Sequence, residues 1–148
     1  MVGIKKISID SLEELVRISY KGDVVGFNKY HVEKFDFEGA VERTMMMIRD
    51  MEDIIPCKYY SVMFNEKPIG YIVVFEGCLY SFAIAKEYRI KPGVLRAWWA
   101  LVILILNNEF VCMLYKNNTR AIRFLRRMGM TEAEIDLGDK DLITLVNI

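Results

Sequence analysis

The sequence predicts an α+β domain built on one sheet, and three observations predict it. Two strand-like segments, "CKYYSVMF" and "IGYIVVFE", flank a tight turn, "NEKP", as antiparallel neighbours do. Helical periodicity recurs on both sides of that hairpin, as in "SLEELVRISYKG". Near the end, "FVCMLYKNNTRAIRFLRRMGM" runs from an apolar strand through two asparagines into a basic amphipathic helix and a glycine.

The elements follow in order. Ile4 to Ile9 alternates weakly and forms a first strand. Asp10 or Ser11 caps a helix whose Leu12, Leu15, Val16 and Ile18 recur at helical spacing, and Gly22 ends it. "DVVGFNKYHVEKFD" has aromatics without a period and reads as a loop. A second helix, Phe37 to Asp53, carries Ala40, Val41, Thr44, Met45, Ile48 and Met51 on one side, so the methionines read as core filling. Pro56 marks the boundary behind it. After the hairpin, "EGC" is a turn, "LYSFAIA" a third strand and "KEYRIKPG" a loop. The apolar helix Val94 to Leu106 comes next, and one of Trp98 and Trp99 faces the sheet. Strand Glu109 to Tyr115, helix Asn118 to Met128 and two tail strands, "TEAEIDL" and "LITLVNI", complete the chain.

With 148 residues the chain fits a single domain, residues 1–148. Lys+Arg and Asp+Glu balance at 20 each, so no global field points to nucleic acid or membrane. Cys57, Cys78 and Cys112 stand singly in apolar runs, as neither a zinc pattern nor a disulfide framework but as buried reduced thiols. The start, "MVGIKKISID", lacks the apolar core of a signal peptide, and Val94–Leu106 is shorter than the roughly 20 residues of a spanning helix. The expectation is a soluble, cytoplasmic protein without a bound metal.

The order of elements, and the run Asn118-Thr119-Arg120-Ala121 followed by Phe124, Leu125 and Met128-Gly129-Met130, resembles the GCN5-related N-acetyltransferases, the GNAT family. In that family the closing unit reads Asn-x-x-Ala on its helix and ends on Gly-Phe; here Met130 replaces the Phe. Asn118 can cap the helix with its side-chain oxygen, and Gly129 can take the left-handed conformation that ends it. The resemblance implies a mostly antiparallel mixed sheet flanked by helices, with a splayed strand pair. One wall of the slot would be Phe82-Ala83-Ile84-Ala85, the other Val111 to Tyr115. It implies acetyl-CoA as co-substrate, its pantetheine arm pairing with the strand edge and touching Asn118, beside Ala121.

The chain departs from the family in two places. The family's phosphate loop reads Arg/Gln-x-x-Gly-x-Gly/Ala, whereas here Arg89-Ile90-Lys91-Pro92-Gly93-Val94 stands. Pro92 has no N–H to give, and the branched Val94 crowds the approach. Either Arg89, Lys91 and Gly93 still meet the pyrophosphate, or this is an ordinary helix start and coenzyme A no longer binds. The family's general-acid tyrosine falls on Leu125, which cannot donate a proton; Tyr115 is the candidate substitute. No carboxylate stands in "LYSFAIA", so Glu76 and Glu87 are candidate bases by position only, and Ser81 a candidate relay. The lone His31 lies in the loop where this fold binds its acceptor, though packing is the commoner role.

The arginines Arg120, Arg123, Arg126 and Arg127 form a basic stripe, ordinarily a solvated face, that in this fold can also help hold adenosine phosphates. They lack the aromatic platform of a nucleic-acid site. Two functions are therefore expected. One is an acyl-CoA-dependent N-acyltransferase acting on a primary amine of a small molecule or protein. The other is a GNAT-fold binding or structural module that has lost the cofactor, with a protein partner or a second copy, similar to GNAT-like proteins of tailed phages. The acceptor segment, Gly22 to Asp36, matches no pattern that names a substrate.

Overall fold

In the computed structural model, residues 1–135 and 138–148 are described, and among them seven strands form one sheet in the order β1-β2-β3-β4-β5-β7-β6. The strands are β1 Val2–Ile7, β2 Lys58–Phe64, β3 Lys67–Phe75, β4 Cys78–Ile84, β5 Phe110–Tyr115, β6 Thr131–Ala133 and β7 Leu142–Asn147. All neighbours run antiparallel except β4 and β5, which are parallel. Among the described residues, six α-helices accompany them: α1 Leu12–Tyr20, α2 Val24–Asn28, α3 Phe37–Ile54, α4 Lys86–Arg89, α5 Val94–Leu106 and α6 Thr119–Arg127.

The helices cover both faces of the sheet, and the period-2 geometry of β3 shows why. Tyr71 and Val73 pack with Leu12, Leu15 and Val16 of α1 and Val41, Met45 and Ile48 of α3. Ile72 and Val74 point the other way, toward Val94, Trp98, Val102 and Leu106 of α5 and Leu125 of α6. A strand buried on both sides reads as a continuous apolar run, and Ile69-Gly70-Tyr71-Ile72-Val73-Val74 is that run.

Several boundaries move from where the sequence puts them. Ile9 leaves the first strand for a single 3-10 turn, Ile9–Ser11, and β1 starts at Val2. The hairpin turn is tighter than "NEKP": Asn65 and Glu66 take positive φ (48° and 68°), the pair a two-residue hairpin needs, and Pro68 already lies in β3. The segment read as a loop from Asp23 holds α2, and the one from Lys86 holds α4; both are too short for periodicity to reveal. In the tail, β6 ends at Ala133, and the rest of the expected strand includes two positions outside the described residues. Trp98 is the tryptophan that is buried, while Trp99 packs on Phe110 and Phe124. The three thiols are free; Cys78 and Cys112 are buried and Cys57 is half-buried.

Among the described residues, no helix is long and apolar enough to cross a membrane.

Candidate functional site

The site starts from an interruption in the sheet. β4 and β5 pair only at Cys78–Val111 and Leu79–Cys112 among the described residues. The register of β4 on β3 then shifts: Val73 faces Ser81 and Val74 faces Leu79, so Tyr80 is the extra residue of a bulge. Beyond the bulge β4 stays with β3 and leaves β5, while β5 continues on β7 as far as Tyr115. On the side away from β3, the edge of Phe82, Ala83 and Ile84 therefore has no strand beside it among the described residues.

That edge lines a cavity of about 540 Å³. Leu95 and Trp98 of α5 and Phe124 of α6 add apolar wall, and Asn118 and Ala121 border it where α6 begins. Tyr20 of α1, Phe27 of α2 and Tyr30 in the turn after α2 close it. Trp98, Phe82 and Phe124 pack ring on ring, with centroids 5.1 and 6.1 Å from Trp98.

Gly70 lets β4 lie where it does. It pairs with Ile84, and a Cβ on it would collide with the carbonyl oxygen of Ala83. A glycine inside a strand marks such a close backbone approach, and that is the signal available in "PIGYIVV". Arg89 fixes the far end of β4. Its Nη1 donates to the carbonyl of Ile84 at 3.0 Å, and its Nη2 to the Asp23 carboxylate at 2.8 Å.

The start and stop of α6 follow from its flanking residues. Asn118 holds the N-cap position through its carbonyl, which accepts from Ile122 N–H at 3.1 Å; its side chain makes no capping bond. Gly129 has φ +106°, and Met130 N–H reaches Leu125 O at 3.1 Å while Gly129 N–H reaches Arg126 O at 3.0 Å. Those two bonds close the helix in a Schellman motif, with Leu125 and Met130 buried together.

Hydroxyls are joined across the inner wall. Tyr71 OH bonds Ser81 Oγ at 3.1 Å and lies 3.4 Å from Tyr20 OH, which bonds Thr44 Oγ1 at 2.8 Å. Burial pushes the Tyr71 hydroxyl up to about 12 and that of Tyr20 well above its ordinary value. At neutral pH both stay protonated, and the row ends at Thr44 without a hydrogen-bonded carboxylate or histidine among the described residues.

No family model matches this sequence, and no curated protein does. Solved structures do match the fold. An acetyltransferase from Thermus thermophilus superposes with TM-score 0.74 at 15% identity, covering 99% of this chain and 96% of its own. A structure assigned to the GNAT acetyltransferases, from Desulfovibrio desulfuricans, gives 0.64 at 17%, covering 99% and 97%. The PaiA N-acetyltransferase from Thermoplasma acidophilum, solved in complex with coenzyme A, gives 0.62 at 16%, covering 99% and 98%. The chain has the GNAT acetyltransferase fold. At these identities the likeness is one of fold.

The residues expected from GNAT likeness fall into separate places. Phe82, Ala83, Ile84, Arg89, Asn118 and Ala121 come together around the cavity. Val94 is buried in the core at the start of α5, and Gly93 before it has φ +79°. Lys91 lies over the rings of Tyr88 and Phe64, at 5.7 and 5.9 Å. Ser81 stands beside the bulge, Glu76 in the exposed turn where β3 hands over to β4, and Glu87 on the exposed side of α4. Leu125, at the position of the GNAT general acid, is fully buried.

Tyr115 joins a cluster that the sequence did not announce. Its ring stacks on Tyr30 at 5.7 Å and lies 5.3 Å from His31, which stacks on Phe27 at 4.2 Å. His31 Nδ1 is 3.0 Å from the carbonyl of Phe27, which can only accept, so that nitrogen carries the proton in the neutral ring. Burial pushes His31 below its ordinary value, and the charges of Arg43 and Lys34 add to this against the pull of that carbonyl.

Proposed function

We propose that this chain is an acyl-CoA-dependent N-acyltransferase that moves an acyl group, acetyl first among them, to a primary amine. The divergence of β4 from β5 carries this reading, because it leaves a strand edge facing an apolar-walled cavity with cations at its rim. Coenzyme A has three matching parts: a peptide-like arm, an apolar stretch and phosphates. The edge Phe82–Ile84 suits the first, and Leu95, Trp98 and Phe124 suit the second. When bound, the thioester supplies an acyl group activated toward an amine.

The chain's own contribution is placement. Asn118 and Ala121 would border the arm, and Phe82, Trp98 and Phe124 would offer it an apolar wall. Ser81 and Tyr115, which are not among the residues lining the cavity, are the groups proposed to handle protons, with the exposed Glu76 and Glu87 as candidate bases. The hydroxyl row behind Ser81 ends at Thr44 and offers no proton acceptor, so the amine is expected to arrive neutral. It would enter past Phe27, Tyr30, His31 and Tyr115. Asp23, the carboxylate lining the cavity, is already paired with Arg89 and is not free to serve as base.

A second reading, a binding or structural module that has lost the cofactor, is favoured by Leu125 at the acid position and by Pro92 in the phosphate loop. Incubation with acetyl-CoA and a panel of primary amines, followed by release of the coenzyme A thiol, separates the two. Amine-dependent release supports the enzyme; no binding of acetyl-CoA and no release with any amine supports the module.

A further inference from the structure

The cavity's charge is one-sided. Arg120, Arg123 and Arg127 of α6 line it, spaced i, i+3 and i+7 and so on one helical stripe, and Lys29 lines it from the end of α2. None of the four has a carboxylate partner among the described residues, whereas the neighbouring Arg126 turns to Glu132 at 3.3 Å. Asp23, the carboxylate among the lining residues, is taken by Arg89 at 2.8 Å. Like charges gathered on a concave surface without counter-charge repel one another, and a bound polyanion relieves that repulsion.

The start of α5 is different. Pro92 has no N–H, Val94 is buried, Lys91 lies over Tyr88 and Phe64, and α5 meets the cavity through the apolar Leu95 and Trp98. Of residues 89–94, the cavity lining includes Arg89, which is committed to Asp23 and the carbonyl of Ile84.

We infer that the stripe Arg120, Arg123 and Arg127, with Lys29, is a side-chain phosphate clamp that takes the role of the loop ahead of α5. The ligand class is a nucleotide diphosphate, and the inference rests on the acyl-CoA reading only in naming coenzyme A as its bearer. Guanidinium groups hold phosphate oxygens in paired hydrogen bonds and keep their charge at any working pH, so binding weakens with salt but not with alkaline pH.

Calorimetric titration of coenzyme A and of inorganic diphosphate tests this, at low and at high salt. The proteins are the unaltered chain, the double variant Arg123→Ala/Arg127→Ala, and Lys91→Ala. The arginines are exposed, so the double variant is expected to fold, and far-ultraviolet circular dichroism checks it; Lys29→Ala is the independent second probe. The double variant is expected to weaken coenzyme A by about a hundredfold, about tenfold for each charge-assisted contact, and Lys29→Ala by about tenfold. Lys91→Ala is expected to leave it unchanged. Coenzyme A binding that survives in the double variant but fails in Lys91→Ala overturns the clamp and leaves the acyltransferase reading standing. Diphosphate binding that the double variant abolishes, in a chain that ignores coenzyme A, supports the clamp and sinks that reading.

Discussion

Asp23 and Arg89 form an ion pair of 2.8 Å, both side chains more than four-fifths buried, that ties the α1–α2 corner to the end of β4. The same guanidinium holds the carbonyl of Ile84, so one side chain sets the distance between the slot's strand edge and the helices facing it. Asp23→Asn leaves Arg89 partly buried without its counter-charge, and the expected loss of stability is about 1–3 kcal/mol by chemical denaturation. The same variant removes a negative charge from the cavity lining, so coenzyme A is expected to bind it more tightly at low salt. Tighter binding at high salt alone would contradict an electrostatic cause.

Gly70→Ala tests the slot from the other side of β4. The added methyl meets backbone at Ala83 rather than a movable side chain, so strand β4 must shift. The expected cost is about 1–3 kcal/mol of unfolding free energy. A larger fractional loss in coenzyme A affinity than in Tyr71→Phe, whose change lies behind the wall, would tie that shift to the edge.

A pH effect follows from His31. Its folded-state pKa is lowered, so the folded chain takes up the proton less readily than the unfolded one. Stability is therefore fully present above the ordinary value of 6.5 and is lost as pH falls from there toward the lowered folded value. Denaturation of the unaltered chain and of His31→Gln over that range should show the difference between them shrinking on acidification. Parallel curves would remove His31 as the source.

The thiols give a simpler check. Burial, first of its causes, pushes Cys57 up to about 11, Cys78 up to about 12 and Cys112 further still. Under native conditions at neutral pH, a disulfide reagent should modify none of the three rapidly, and all three once the chain is unfolded. Fast native labelling at Cys112 would contradict its placement in the core.

Much of this fold is legible in the sequence because its long elements carry strong periods. The helical faces of α1 and α3 mark which residues face the core, the apolar run of β3 marks a strand buried on both sides, and Gly129 marks the end of α6. The site is less legible, for physical reasons. Helix α2 is five residues long and α4 four, too short to show a period, yet they bring Lys29, Tyr30 and Arg89 to the cavity. The splay itself is a non-local event: nothing in "LYSFAIA" says that β4 leaves β5 after Leu79. The residue type at Asn118 points to a side-chain cap, and its carbonyl alone caps instead. The basic stripe of α6 is visible, but only the cavity it borders distinguishes it from a solvated face.

The most direct measurement is the thermal unfolding midpoint with and without saturating acetyl-CoA, with free coenzyme A alongside. A ligand at about 100 times its Kd adds roughly 2.7 kcal/mol, a rise of several degrees for a chain of this size. The account predicts that rise with both ligands. No shift with either, in protein shown to be folded, would contradict it.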